Sequence, residues 1–273
     1  VLELLSGTEL AVFQAEFRIG RRRVSLFVWP ETLTREPAVL EELYRDARAA
    51  AGLDHPNVVR LYDVDQNENL HFSVMEPLEG TPLSRVLLDA GGHLPVGEAC
   101  GCAVQVAAGL HAAHEAGLVH RHIRPSNLFV WESGLVKIFG LGLHRAFDAV
   151  LKESQDETLW DYSAPEQALD APVDCRSDIY SLGATLYHLV TGLTPFAAMD
   201  KRIIHAFRKA PPAHKIRSDV PDALSPIIAK MMEKYPRNRY PSMSEVIAAL
   251  RPFVEPATAS KYPPMAEAAL GTW

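Results

Sequence analysis

At 273 residues the chain can bury a sizeable core, as one large domain or as two lobes. Its 48% hydrophobic and 22% charged residues are the composition of an ordinary soluble globular protein. A net charge of −7 argues against a nucleic-acid partner, and no run approaches the ~18 apolar residues of a membrane span.

Strand signals come first along the chain. Leu10, Val12 and Phe13 lead into a turn at Gly20-Arg21-Arg22, and Val24, Leu26 and Val28 then alternate with Ser25 and Phe27. Residues Pro37 to Ala51 are helical in composition, stopping at Gly52 and the His55-Pro56-Asn57 turn. Val58 to Leu61 and Leu70 to Met75 predict two more strands. After Glu76-Pro77 the period changes. Ala99, Cys102, Ala103, Val106 and Leu110 recur at helical spacing, as do Ile179, Leu182, Leu186 and Val190, and later Met243, Val246, Ile247 and Leu250. The expected fold class is therefore α+β in two lobes. A small β-rich lobe covers residues 1–76, a larger helical lobe 77–255, and a linker or tail 256–273.

The three cysteines, Cys100, Cys102 and Cys175, are too few and too odd for a disulfide framework and fit a reducing cytosol. Residues two apart on a helix do not share a face, so Cys100 and Cys102 read as core rather than a metal pair. No signal peptide is visible, and the chain opens inside a strand-like pattern. The expectation is a cytoplasmic domain, standing alone or forming the cytoplasmic part of a longer or membrane-anchored protein.

A series of short motifs follows in order. They are His55-Pro56-Asn57-Val58-Val59, Val74-Met75-Glu76, His120-Arg121 with Asn127, Ala164-Pro165-Glu166, Asp178-Ile179-Tyr180-Ser181-Leu182-Gly183, and Asn238-Arg239-Tyr240. One alone would mean little. Together, from about Leu4 to Val254, they resemble the eukaryotic-like (bacterial Hanks-type) serine/threonine protein kinase family. The resemblance implies a protein-kinase-like two-lobed fold with a nucleotide cleft, whose vestige would be lined by Gly7, Val12, Ser25, Glu76, Leu78, Phe129 and Phe139.

Phosphoryl transfer asks a protein for positioning and charge neutralisation: a lysine, two metal ions and a placed base. The resemblance shows what stands at those positions here. Of three loop glycines only Gly7 survives, Leu5 and Leu10 taking the other places. Phe27 replaces the strand lysine that would hold phosphate oxygens. Leaving one partner of a buried ion pair alone costs ~3–5 kcal/mol, and an apolar ring neutralises nothing. Asp46 aligns to the lysine's helix partner and is expected to be a solvated acid without a pairing role. His122 stands at the catalytic base, Arg124 at the catalytic-loop lysine, and Leu159 at the threonine that would bond the base. Gly140 replaces the metal-binding aspartate with no neighbouring carboxylate in sight, leaving Asn127 to hold magnesium alone. Phe27, Phe129 and Phe139 are expected to converge on the cleft and replace the nucleotide as glue between the lobes.

The retained residues build scaffold. By resemblance Glu166 pairs with Arg239, Asp178 accepts backbone N–H bonds from the catalytic loop, and His120, Leu61, Leu141 and Ala50 form an apolar column. His111, His114, His120 and His122 invite a zinc reading, but His114 and His120 fit ordinary family positions, so no metal is expected. Gly140 to Glu166 matches an activation segment, with Ser154 and Thr158 as phosphoacceptors that Arg121 would clamp. The expectation drawn is a pseudokinase rather than an enzyme, a protein-binding or regulatory scaffold with no cofactor and no productive ATP/Mg binding. Its partner would be a protein, either an active kinase or a phosphopeptide-binding domain. Two alternatives stand beside it: a nucleotide-sensing switch that reads adenine at the Glu76–Leu78 hinge without turnover, and a weak non-canonical kinase using His122.

Overall fold

The computed structural model describes residues 3–4, 12–16, 21–153, 157–169, 171–196 and 208–254. The first part of the chain is a five-stranded antiparallel sheet of order β1-β2-β3-β5-β4, formed by β1 Glu3–Leu4, β2 Val12–Glu16, β3 Arg23–Val28, β4 Leu61–Asn67 and β5 Leu70–Met75. Side chains alternate across the pleat, so β3 sends Ser25 and Phe27 to one face and Val24 and Leu26 to the other. Ser25 lies opposite Met75 and Phe27 opposite Ser73, and all four are buried on the face turned toward the rest of the molecule. Val24 joins Ala15 and Val74 in a small separate cluster on the far face.

Helix α1 (Glu31–Thr34) leads into α2 (Pro37–Ala51), whose bounds coincide with the helix predicted there. Proline at its first position has no N–H to waste, and Leu43, Ala47 and Ala50 form its buried stripe. The strand expected over Val58 to Leu61 is displaced. Val59 donates to the Ile138 carbonyl and Ile138 to the Asn57 carbonyl, so this stretch pairs away from the sheet, and β4 begins only at Leu61.

Beyond Met75 the chain is mainly helical: α3 (Leu83–Asp89), α4 (Val96–Glu115), α5 (His144–Glu153), α6 (Pro165–Ala168), α7 (Cys175–Thr191), α8 (Ala213–Ile216), α9 (Leu224–Met231) and α10 (Met243–Leu250). A second, three-stranded sheet orders β6 (Thr81–Pro82), β7 (Leu128–Val130) and β8 (Val136–Ile138). Helix α7 is the axis of this part. Asp174 caps it by accepting from the Arg176 amide at 2.8 Å, and Gly192 ends it in the left-handed region. Nearly every residue between is buried, the polar Ser177, Asp178, Ser181 and Thr185 as well as the apolar ones, so the helix is packed on all sides. One apolar cluster runs unbroken from Val12 and Phe27 through α2, α4 and α7 to Leu250. This is the α+β arrangement expected, a small sheet lobe beside a larger helical one. No helix among the described residues is long and apolar enough to cross a membrane. The tail placed at 256–273 lies outside the described residues.

Candidate functional site

The segment from His120 to Asn127 is hung from one buried acid on α7. Asp178, fully buried, accepts from the backbone amides of His120 (2.9 Å) and Arg121 (2.7 Å) and pairs with His114 Nε2 (2.8 Å). Burial alone would raise its pKa, but the His114 hydrogen bond, the histidine charges and the amide donors outweigh that and hold it below the usual aspartate value. His120 accepts the His122 amide at Nδ1, so its proton sits on Nε2 and goes to the Phe139 carbonyl at 3.0 Å. Burial pushes His120 down to about 4, consistent with a neutral ring spent on holding backbone.

His122 is buried, and its Nε2 lies 2.9 Å from Asp148 Oδ1 on α5. Burial pushes Asp148 up, yet the hydrogen bond and charge of His122, with those of His144 and Arg121, leave its pKa lowered. An ionised Asp148 accepts, so His122 donates to it from Nε2. The sequence reading offered no carboxylate near this loop, and the structure corrects it: a turn of helix brings Asp148 in. Asn127, also buried, donates its amide to the His122 carbonyl at 2.8 Å.

Rings fill the space beside this loop. Phe27 is 0% exposed, edge-on to Phe139 at 6.1 Å, and Phe139 is edge-on to Phe129 at 5.9 Å. The fourth ring is one the sequence reading passed over. Phe147 of α5 stacks on Phe27 (6.2 Å), meets Phe139 edge-on (6.1 Å) and lies 5.3 Å from the His122 ring. The signal was there: Leu143 and Phe147 are four apart, the spacing of one helix face.

Gly140 has a φ of +97°, and a Cβ built there would lie 2.3 Å from Phe147, so the ring occupies what would be side-chain space. The expectation that Asp46 lacks a pairing role is also corrected. Its carboxylate meets Arg145 Nε at 3.0 Å, and the other end of that guanidinium meets Glu42 at 2.8 Å. Arg145 comes from the segment 99 residues downstream, a pairing no local pattern could reveal.

At the hinge end, the Leu78 amide donates to Ser25 Oγ at 3.0 Å, with both groups buried. The backbone donor expected to read adenine is thus already satisfied from within the chain. Ser25→Ala leaves that amide unpartnered and is expected to cost about 1–3 kcal/mol, measured by urea unfolding. Glu76 accepts from Lys137 Nζ (2.6 Å) and from the Arg60 amide (3.0 Å). Val12 is buried on β2, directly across the strand pair from Phe27. Below the site Arg239 grips Glu166 with two bonds of 2.6 and 2.7 Å. Gly7, Ser154 and the side chains of Thr158 and Leu159 lie outside the described residues.

A family model described as "Protein kinase domain" matches residues 31–250. A probable serine/threonine-protein kinase of Clostridium perfringens is 33% identical over 88% of this chain, and the serine/threonine-protein kinase PrkC of Bacillus subtilis is 30% identical over 92%. The chain spans 36 and 40% of the length of these two relatives. The Mycobacterium tuberculosis PknI kinase domain superposes with a TM-score of 0.76 at 23% identity, covering 92% of this chain and 94% of that one, which shows the fold. The expectation of a protein that is not an enzyme is overturned by these relatives, which are named as kinases. The order of elements, the Asp178-anchored loop and a family match over residues 31–250 make this chain a member of the protein kinase family.

Proposed function

We propose that this kinase-family domain acts as a regulatory, protein-binding module whose cleft is closed by its own side chains and takes up ATP and magnesium poorly. One observation carries the reading: Phe27 lies fully buried among Phe139 and Phe147 at the position where a lysine would face phosphate. Rings cannot neutralise a triphosphate, and the hinge amide is bonded to Ser25. The partner proposed is a protein, an active kinase or a phosphopeptide-binding domain that meets the segment carrying Ser154 and Thr158.

The test is a titration with ATP and magnesium or manganese, following melting temperature and phosphate transfer together. A ligand at a hundred times its Kd adds about 2.7 kcal/mol, which moves a melting point by several degrees. The expected result at millimolar ATP is a shift below about 1 °C, and a rise of several degrees would sink the closed-cleft reading.

The His122–Asp148 pair favours a second, enzymatic reading: weak phosphotransfer with His122 as base, its ring oriented by Asp148. Transfer that disappears in both His122→Ala and Asp148→Asn would establish it.

A further inference from the structure

We propose that Lys234 is an acylation site: its amine, held against Tyr180 and Phe196, takes an acyl group from an acyl phosphate. The site lies beside the Glu166–Arg239 pair, so it stands apart from the cleft and from whether the cleft admits ATP.

Two aromatic walls and a fixed cation define the place. Lys234 Nζ lies 4.6 Å from the centre of the Phe196 ring, 5.4 Å from that of Tyr180 and 3.3 Å from the Tyr180 hydroxyl. Tyr180 is wholly buried and Phe196 nearly so, while Lys234 itself is half-buried. The Arg239 guanidinium covers the same Tyr180 ring at 5.0 Å and is fixed there by its two bonds to Glu166. Two cations therefore share one ring. Arginine keeps its proton at any ordinary pH, so lysine is the one that can relieve the repulsion by losing its own.

The charges around the amine act in both directions. Burial is the largest influence and disfavours the ammonium, and Arg239 adds to it. Glu233 favours the ammonium, but Lys209, bonded to Glu233 at 3.1 Å, opposes it. Together these bring Lys234 down to about 8. A desolvated lysine beside a second cation is an arrangement that makes an amine nucleophilic near neutral pH. In the step, the Nζ lone pair attacks the acyl carbon and the carbon–oxygen bond to phosphate breaks. Inorganic phosphate leaves, and the surplus proton on nitrogen passes to water. The amide that remains is neutral. It takes one cation off the Tyr180 ring and one positive charge from beside the exposed Tyr235 and Arg237.

The test is acetylation of the whole chain with acetyl phosphate over a pH series, read site by site by mass spectrometry. The reference is the same lysine in the guanidinium-unfolded chain. Near neutral pH an amine that titrates at about 8 is deprotonated about two orders of magnitude more often than one at the ordinary lysine value of about 10.4. Access past the rings costs part of that gain, so Lys234 is expected to react about tenfold faster folded than unfolded, its rate levelling off above about 8. Phe196→Ala, with Phe196→Leu if the alanine variant does not fold, admits water to the amine and is expected to move the levelling to higher pH. A folded rate no faster than the unfolded one, or a rate that rises with pH as in the unfolded chain, overturns the proposal. A levelling that the Phe196 variants leave in place overturns it as well, since the rings would then not make the site.

Discussion

Arg239→Ala is expected to cost about 3–5 kcal/mol, because it strips a buried carboxylate of its counter-charge. The Arg239 side chain is wholly buried and gives both terminal nitrogens to Glu166. Its remaining reach is used as well: Nε donates to the Glu233 carbonyl, the terminal nitrogens to the carbonyls of Arg176 and Lys234, and the guanidinium covers the Tyr180 ring at 5.0 Å. Lysine cannot reproduce that fork, so Arg239→Lys is expected to recover only part of the loss.

The pH dependence of this effect has a definite sign. Burial would raise Glu166, but hydrogen bonds and charge from Arg239, with the Ser177 hydroxyl, hold its pKa below 4.5. A depressed folded pKa means stability that is fully present above 4.5 and is lost as pH falls through the folded value. Without Arg239, burial is left to raise the same carboxyl. The gap between wild type and variant, measured by urea unfolding over a pH series, should therefore be full above the variant's raised Glu166 pKa, begin to shrink already on the alkaline side of 4.5, and go on shrinking until the pH passes the depressed wild-type value. A gap that does not change with pH would assign the loss to packing instead.

The second large effect is at Phe27. Phe27→Ala removes a fully buried ring that contacts two others and is expected to cost about 3–5 kcal/mol in thermal or urea unfolding. Phe27→Lys probes the same position differently. A lysine there would need an acid, and Asp46, which the family pattern would offer, is already held by Arg145. The restored lysine is expected to lower stability without bringing ATP-induced melting shifts, since the Phe147 ring remains in the cleft. Appearance of an ATP shift in Phe27→Lys alone would show that Phe27 was the sole obstruction.

The fold was legible in the sequence because scaffold chemistry is local and ordered along the chain. Helix Pro37–Ala51 could be read to the residue from its composition and its stop at Gly52. Motifs such as Asp178-Ile179-Tyr180 name a position even when no contact is visible. The candidate site was legible only as a set of replacements. Phe27 and Phe139 do meet, and Phe129 meets Phe139, but the ring that completes the set belongs to α5, a segment read from its family position as an activation segment. Helical spacing of Leu143 and Phe147 could have found α5 but not its destination. A face periodicity shows that something must cover it, not which distant element does. The same limit hid the partners of Asp46 and His122, each supplied by α5 through tertiary packing. At β4 the error was one of competition: Val58 and Val59 have strand chemistry, and β8 claims them before the five-stranded sheet can.

The Ser25–Leu78 bond bears on which small molecules this cleft could ever accept. A flat heterocycle with a ring nitrogen aimed at the Leu78 amide must first evict the Ser25 hydroxyl, which is wholly buried and would be stranded. Affinity gained at the amide is then largely returned at the hydroxyl. A probe meant for this protein should instead bring a paired donor and acceptor, one atom for the amide and one for the serine. Chemistry chosen that way would separate this domain from kinases whose hinge amide is open to solvent.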